Sequence, residues 1–138
     1  MLNLSAKASK HFKISHQGLP SRDGDFWRID IFYYDRLKYL ICVHEKTLWS
    51  TIVRATEFKT PETLYHLINE KCGWYDQPPS IGKSSNRSVT GSILDMRNLI
   101  KYSAPETIAE MEHIIIDCPF SYIGYKTPQS ALSEYTSA

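Results

Sequence analysis

Between Phe26 and Arg54 the chain reads as three β-rich runs with almost nothing between them. The first, FWRIDIFYY (26–34), alternates, with Trp27, Ile29, Ile31 and Tyr33 on one face and Arg28 and Asp30 on the other. A turn at Asp35-Arg36 leads into KYLICVH (38–44), and the tripeptide EKT leads into LWSTIVR (48–54). Parallel strands need a crossover of about a dozen residues or more, so connections this short predict an antiparallel meander.

The flanks read mostly as helix. Residues 1–5 suit a short strand with Leu2 and Leu4 on one face. Ser5 then caps a helix from Ala6 to about Phe12 that buries Ala8 and Phe12. HQGLPSRDGD (16–25) is a loop by its Gly, Pro and Asp content. After the strands, Thr60 serves as N-cap with Pro61 at the first helical position. Leu64, Leu67 and Ile68 point inward, and Gly73 is the stop signal. WYDQPPSIGKSSN (74–86) reads as a loop around Pro78-Pro79. A long helix follows from about Ser88 to Tyr102, capped by Ser88, with Val89, Ile93, Met96 and Ile100 at i, i+4, i+7 and i+11. SAPE (103–106) predicts a capping box for a third helix with Ile108, Met111 and Ile115 inward. Thr127-Pro128 opens a last short helix that offers Ala131, Leu132 and Tyr135 for burial. The Pro-Glu-Thr triplets at 61–63 and 105–107 share cap chemistry but not flanks, so there is no internal duplication. The expectation is one α+β domain over residues 1–138. It has an antiparallel meander sheet of three to four strands and three to four helices packed mainly on one face.

Composition narrows the function classes. With 42% hydrophobic and 22% charged residues over 138 positions, the chain belongs with globular proteins. A net charge of +1 supplies no global field toward nucleic acid or an anionic membrane, so any such contact must come from a local patch. Cys42, Cys72 and Cys118 are widely spaced and form no C-x-x-C, which fits reduced thiols rather than a disulfide framework or zinc site. His11, His16, His44, His66 and His113 show no H-x-x-x-H pairing, and no cofactor or metal is expected. The first fifteen residues lack a signal-like apolar core. No run approaches the roughly 18 apolar residues of a membrane helix, so a cytoplasmic protein without a membrane partner is expected.

The triplet Gly82-Lys83-Ser84 invites a nucleotide-loop reading that its surroundings refuse. The first glycine of G-x-x-x-x-G-K-[ST] would fall on Gln77, and DQPPS precedes it instead of a buried strand. Downstream, Arg87 and Ser88 sit at a helix start, where free N–H groups and the helix dipole favour anions. Ser88, Ser92 and Asp95 share one polar face there. These four are the anion or ligand candidates, and Gly91 beside them suggests close approach of a backbone or ligand. Lys7, Lys10 and Lys13 give the first helix a basic face suited to phosphate. Phe26, Phe32, Tyr34 and Tyr39 would suit a protein partner or stacked bases if one sheet face is open. No catalytic constellation can be singled out.

Four segments, LSAKASKHFKI, WRIDIFYYDRLKYLICVHEKTLWSTIV, NRSVTGSILDM and PFSYIGYKTPQSAL, together resemble a family of small uncharacterised bacterial proteins. That family carries a domain of unknown function and is associated with phages, plasmids and other mobile genetic elements. Arg87-Ser88-Val89-Thr90-Gly91-Ser92 with Asp95-Met96 is the most specific part of the likeness. The resemblance implies a mobile-element context and no residue roles. The expected function is a non-enzymatic binding protein whose partner is a host protein, in an accessory or anti-defence role. The alternative is a nucleic-acid- or nucleotide-binding protein using the basic first helix and the Arg87-Ser88 helix start. A homodimer is compatible with either.

Overall fold

The computed structural model describes residues 2–14, 26–72, 81–84 and 86–137. The expected loops at 16–25 and 74–80, the Gly73 stop and Ser85 lie outside the described residues. The meander is present as β2 (Trp27–Tyr34), β3 (Leu37–His44) and β4 (Ser50–Arg54), paired antiparallel. Asp35 and Arg36 both take positive φ, 48° and 66°. That twist matches the strands of a two-residue hairpin and sets Tyr33 opposite Lys38.

The rest of the sheet corrects the expectation of an antiparallel meander of three to four strands. β1 (Leu2–Leu4) pairs parallel to β2, and β5 (Ile81–Lys83) pairs parallel to β1, giving a five-stranded mixed sheet in the order β4-β3-β2-β1-β5. The long route from β1 to β2, through helix α1 (Ala6–Phe12), is what permits parallel pairing. β5 lies in the segment read as loop, because three residues between a Pro-Pro pair and a Ser-Asn cluster carry no periodicity.

Helix placement is the second correction. Five α-helices are described rather than three to four, and they cover both faces of the sheet. α1 and α2 (Pro61–Cys72) pack Ala8, Phe12, Leu64, Tyr65 and Ile68 onto Leu2, Leu4, Trp27, Ile29 and Ile31. On the other face α3 (Arg87–Ser103) and α4 (Ile108–Ile116) press Val89, Ile93, Met96, Ile100, Met111 and Ile115 onto Phe32, Tyr39, Ile41, Val43 and Ile52. α5 (Pro128–Ser137) lies beside α4 and leaves Ala131, Leu132 and Tyr135 half-buried. A sheet buried on both faces needs apolar residues at consecutive positions, and β3 supplies them as Leu40-Ile41-Cys42-Val43, all fully buried.

Caps also shift. α3 is capped by Asn86, whose side chain accepts from Val89 N at 3.2 Å, not by Ser88. α4 is capped by Thr107, which accepts from Glu110 N at 3.1 Å while Glu110 Oε2 accepts from Glu106 N. The open edge at β4 is blunted by side chains: Glu112 Oε2 accepts from Ile52 N, and Lys71 Nζ donates to Thr51 Oγ1 at 2.7 Å.

Candidate functional site

The first helix begins where Ser5 Oγ accepts from Ala8 N at 3.1 Å. Its 3.6-residue period sends Ala8, Ser9 and Phe12 inward and leaves Lys7 and Lys10 exposed on one flank. His11, at the boundary, is held on both sides. Its Nε2 lies 2.7 Å from the Phe58 carbonyl and its Nδ1 lies 3.1 Å from Lys38 Nζ. A carbonyl only accepts and an ammonium only donates, so Nε2 carries the proton and Nδ1 receives the lysine. That contact anchors Lys38, which the hairpin register has already brought across from Tyr33.

The result is a cleft of about 270 Å³ lined by Lys7, Lys10, His11, Ile31, Tyr33 and Lys38. Tyr33 is 56% exposed at its rim. Among the described residues none of the three lysines forms an ion pair with a carboxylate. Lys13, expected with Lys7 and Lys10, instead closes the helix in a left-handed conformation (φ 56°) and lies outside the cleft lining. Sequence reasoning missed Lys38 and Tyr33. The available signal was the two-residue turn, which fixes which residues oppose each other.

The opposite face of the sheet holds a second polar group. Asn3 and Arg28 are register partners on β1 and β2, and Arg28 reaches under the start of α3. Arg28 is only 2% exposed. Its Nη1 donates to Thr90 Oγ1 at 2.7 Å and its Nη2 to the Asn86 carbonyl at 2.9 Å. Asn3 Nδ2 donates to the buried Glu45 carboxylate at 2.7 Å. Burial pushes the Arg28 pKa down from its ordinary value, while the carboxylates of Glu45 and Asp30 oppose that shift. Asn86 extends the chain outward by donating to Tyr122 OH at 3.2 Å.

Of the four anion or ligand candidates, Ser88, Ser92 and Asp95 line one cleft of about 410 Å³ with Gly91, Ser121 and Tyr122. Arg87 is exposed at the first helical residue and lies outside that lining. Ser92 is buried and returns its hydroxyl to the Ser88 carbonyl at 2.9 Å, while Asp95 places a carboxylate where an anion would sit. A Cβ built on Gly91 meets nothing within 4 Å, so no backbone approaches there. The four protein-interface candidates divide differently. Phe32 and Tyr39 are buried and stacked, ring centroids 5.4 Å apart. Tyr34 donates its hydroxyl to the Pro105 carbonyl at 2.6 Å, and Phe26 is half-buried at the strand start.

Cys42 is buried, and burial pushes its thiol up to about 12. Among the described residues no cluster of three or more His, Cys, Asp or Glu side chains is placed to hold a metal ion. No helix among them is long and apolar enough to cross a membrane. No protein-family model matches the sequence, and no curated protein matches it either.

Proposed function

We propose that the protein is a binding protein for a phosphate-bearing polymer, single-stranded nucleic acid, which it holds in the cleft between α1 and the β2–β3 hairpin. The observation that carries this reading is the convergence of Lys7, Lys10 and Lys38 from two elements, without carboxylate partners among the described residues, beside an exposed Tyr33 ring. Lysines follow a phosphate backbone as point charges, and a tyrosine face stacks on any base. The opening suits a single strand: a duplex keeps its bases inside, where Tyr33 could not reach them.

For a host-protein partner, the other expectation, two of the four aromatic candidates, Phe32 and Tyr39, are core residues, and Phe26 and Tyr34 are half-buried. A role as an accessory or anti-defence factor on a mobile element belongs to the same proposal, as the setting in which a small nucleic-acid binder would act.

Fluorescence anisotropy with labelled single-stranded RNA and DNA of about 12 nucleotides, across about 50 to 200 mM salt, tests the reading. The logarithm of the affinity should fall linearly with the logarithm of salt. Replacing all three lysines by Ala should make that slope shallower by about 2, at about 0.7 per lysine–phosphate contact on a single strand. Tyr33→Ala should weaken binding by about 1–3 kcal/mol without changing the slope. Absence of binding at low salt, or an unchanged slope in the triple variant, refutes the proposal.

A further inference from the structure

We propose that the groove between α3 and the turn at 118–125 is a docking site for an arginine side chain carried by a partner protein. The groove measures about 530 Å³. Asp95, Leu99 and Tyr102 recur at i, i+4 and i+7 and so form one wall from a single helix face. Cys118, Phe120 and Tyr125 contribute to the opposite wall.

Two features set this groove apart from ordinary surface. Tyr102 is 91% exposed and Tyr125 is 76% exposed, so two aromatic rings stand in solvent beside one concavity. Tyr125 is also held there by its backbone. It takes φ 62° directly after Gly124 at φ 68°, its N donates to the Phe120 carbonyl at 2.9 Å, and Lys126 bridges back to Phe120. A left-handed conformation is unfavourable by about 1–2 kcal/mol for a residue with a Cβ, so the turn keeps this ring outward at a cost.

The chemistry of the lining selects the occupant. Among the described residues Asp95 is the one charged side chain that lines the groove, and it forms no ion pair. Its field reaches across to Cys118, whose thiol pKa is raised first by burial and then by Asp95. Two ring faces and a carboxylate together attract a cation and repel phosphate. Among cationic side chains, guanidinium is the planar one: it stacks on tyrosine and presents a fork of N–H donors to a carboxylate. This groove lies along α3, on the sheet face opposite the lysine cleft, so the inference stands apart from the nucleic-acid reading.

A ¹H–¹⁵N NMR titration of the full chain with capped Gly-Arg-Gly, Gly-Lys-Gly and Gly-citrulline-Gly peptides tests it, with tetramethylammonium as a plain cation. The arginine peptide should give saturable shifts confined to 95–102 and 118–125. The lysine peptide and tetramethylammonium should bind more weakly, and the neutral citrulline peptide should give no saturable shift. Asp95→Asn should weaken arginine binding about tenfold. Tyr102→Ala, at an exposed position the fold does not need, should weaken it about two- to fivefold. Citrulline or tetramethylammonium binding as well as arginine overturns the assignment. So do shifts that map elsewhere, no saturable shift, or an Asp95→Asn protein that binds like the parent.

Discussion

Arg28 and the lysines of the α1 cleft are cations on opposite faces of one sheet, and the fold treats them in opposite ways. Arg28 is almost wholly buried, with Nη1 and Nη2 both engaged by the start of α3 and the Glu45 carboxylate in electrostatic reach. Lys7 and Lys10 are exposed and Lys38 is half-buried, and none has a carboxylate partner among the described residues. A buried charge persists only when neighbouring groups satisfy it, so Arg28 is part of what holds α3 to the sheet. A lysine that keeps access to water needs no such support, and two exposed lysines with the half-buried Lys38 leave charge around the cleft available to a ligand. The lesson is that the number of hydrogen bonds a cation already makes, rather than its charge, separates a fold-holding residue from a ligand-holding one.

The comparison breaks most readily at Arg28. Arg28→Met removes both bonds to α3 and takes a nearby positive charge from the buried Glu45, so urea unfolding should show a loss of about 3–5 kcal/mol. The Lys7, Lys10 and Lys38 triple Ala variant should stay within about 0.5 kcal/mol of the parent per substitution while losing salt-sensitive binding. If Arg28→Met costs less than about 1 kcal/mol, or the lysine variant unfolds the protein, the division between the two regions is wrong.

The same contrast explains what could be read from the chain. The hairpin strands and the stripe Val89, Ile93, Met96, Ile100 were legible because each extends over enough residues to show a period. The second covered face of the sheet was not. Arg28 and Asp30 in β2 read as a solvent side, yet Arg28 is buried because Asn86 and Thr90, about 60 positions away, arrive to satisfy it. A residue's own polarity does not record such a partner. β5 was hidden for a different reason: its three residues gain their strand conformation from pairing with β1, not from local preference. At the candidate site, Lys7 and Lys10 were visible as a helix flank. Lys38 joins them only through strand register and its contact with His11.

The α1 face offers a sharper test, because its core is apolar where the α3 face has charge built in. Cys42 lies in that core with Ala8, Phe12 and Ile31. Burial raises its thiol from an ordinary 9.0 to about 12. A group whose folded pKa is raised favours folding while protonated. Its contribution is therefore intact below pH 9 and is lost as pH climbs from 9 toward 12. Urea stability should fall by about 1.4 kcal/mol for each pH unit in that window. Cys42→Ala starts lower but should lack this component, so the difference between the two pH profiles isolates the thiol. Parallel profiles would mean that this core accepts a charge after all.

The smallest expected effect concerns Gly91, on the α3 side. It lies within a helix of 17 residues, is exposed, and has open space where a Cβ would point. Glycine there leaves more backbone freedom in the unfolded chain than alanine does and contributes no side chain to the helix. Gly91→Ala should therefore stabilise the protein by about 0.5–1 kcal/mol in urea unfolding, with no clash to offset the gain. The variant also separates two uses of this helix face. Asp95 and Tyr102 serve the arginine groove from positions that Gly91 does not line, so arginine-peptide shifts should be unchanged. A more stable Gly91→Ala protein that has lost those shifts would place the ligand further toward the helix start, over Ser88 and Ser92, in the cleft that Gly91 itself lines.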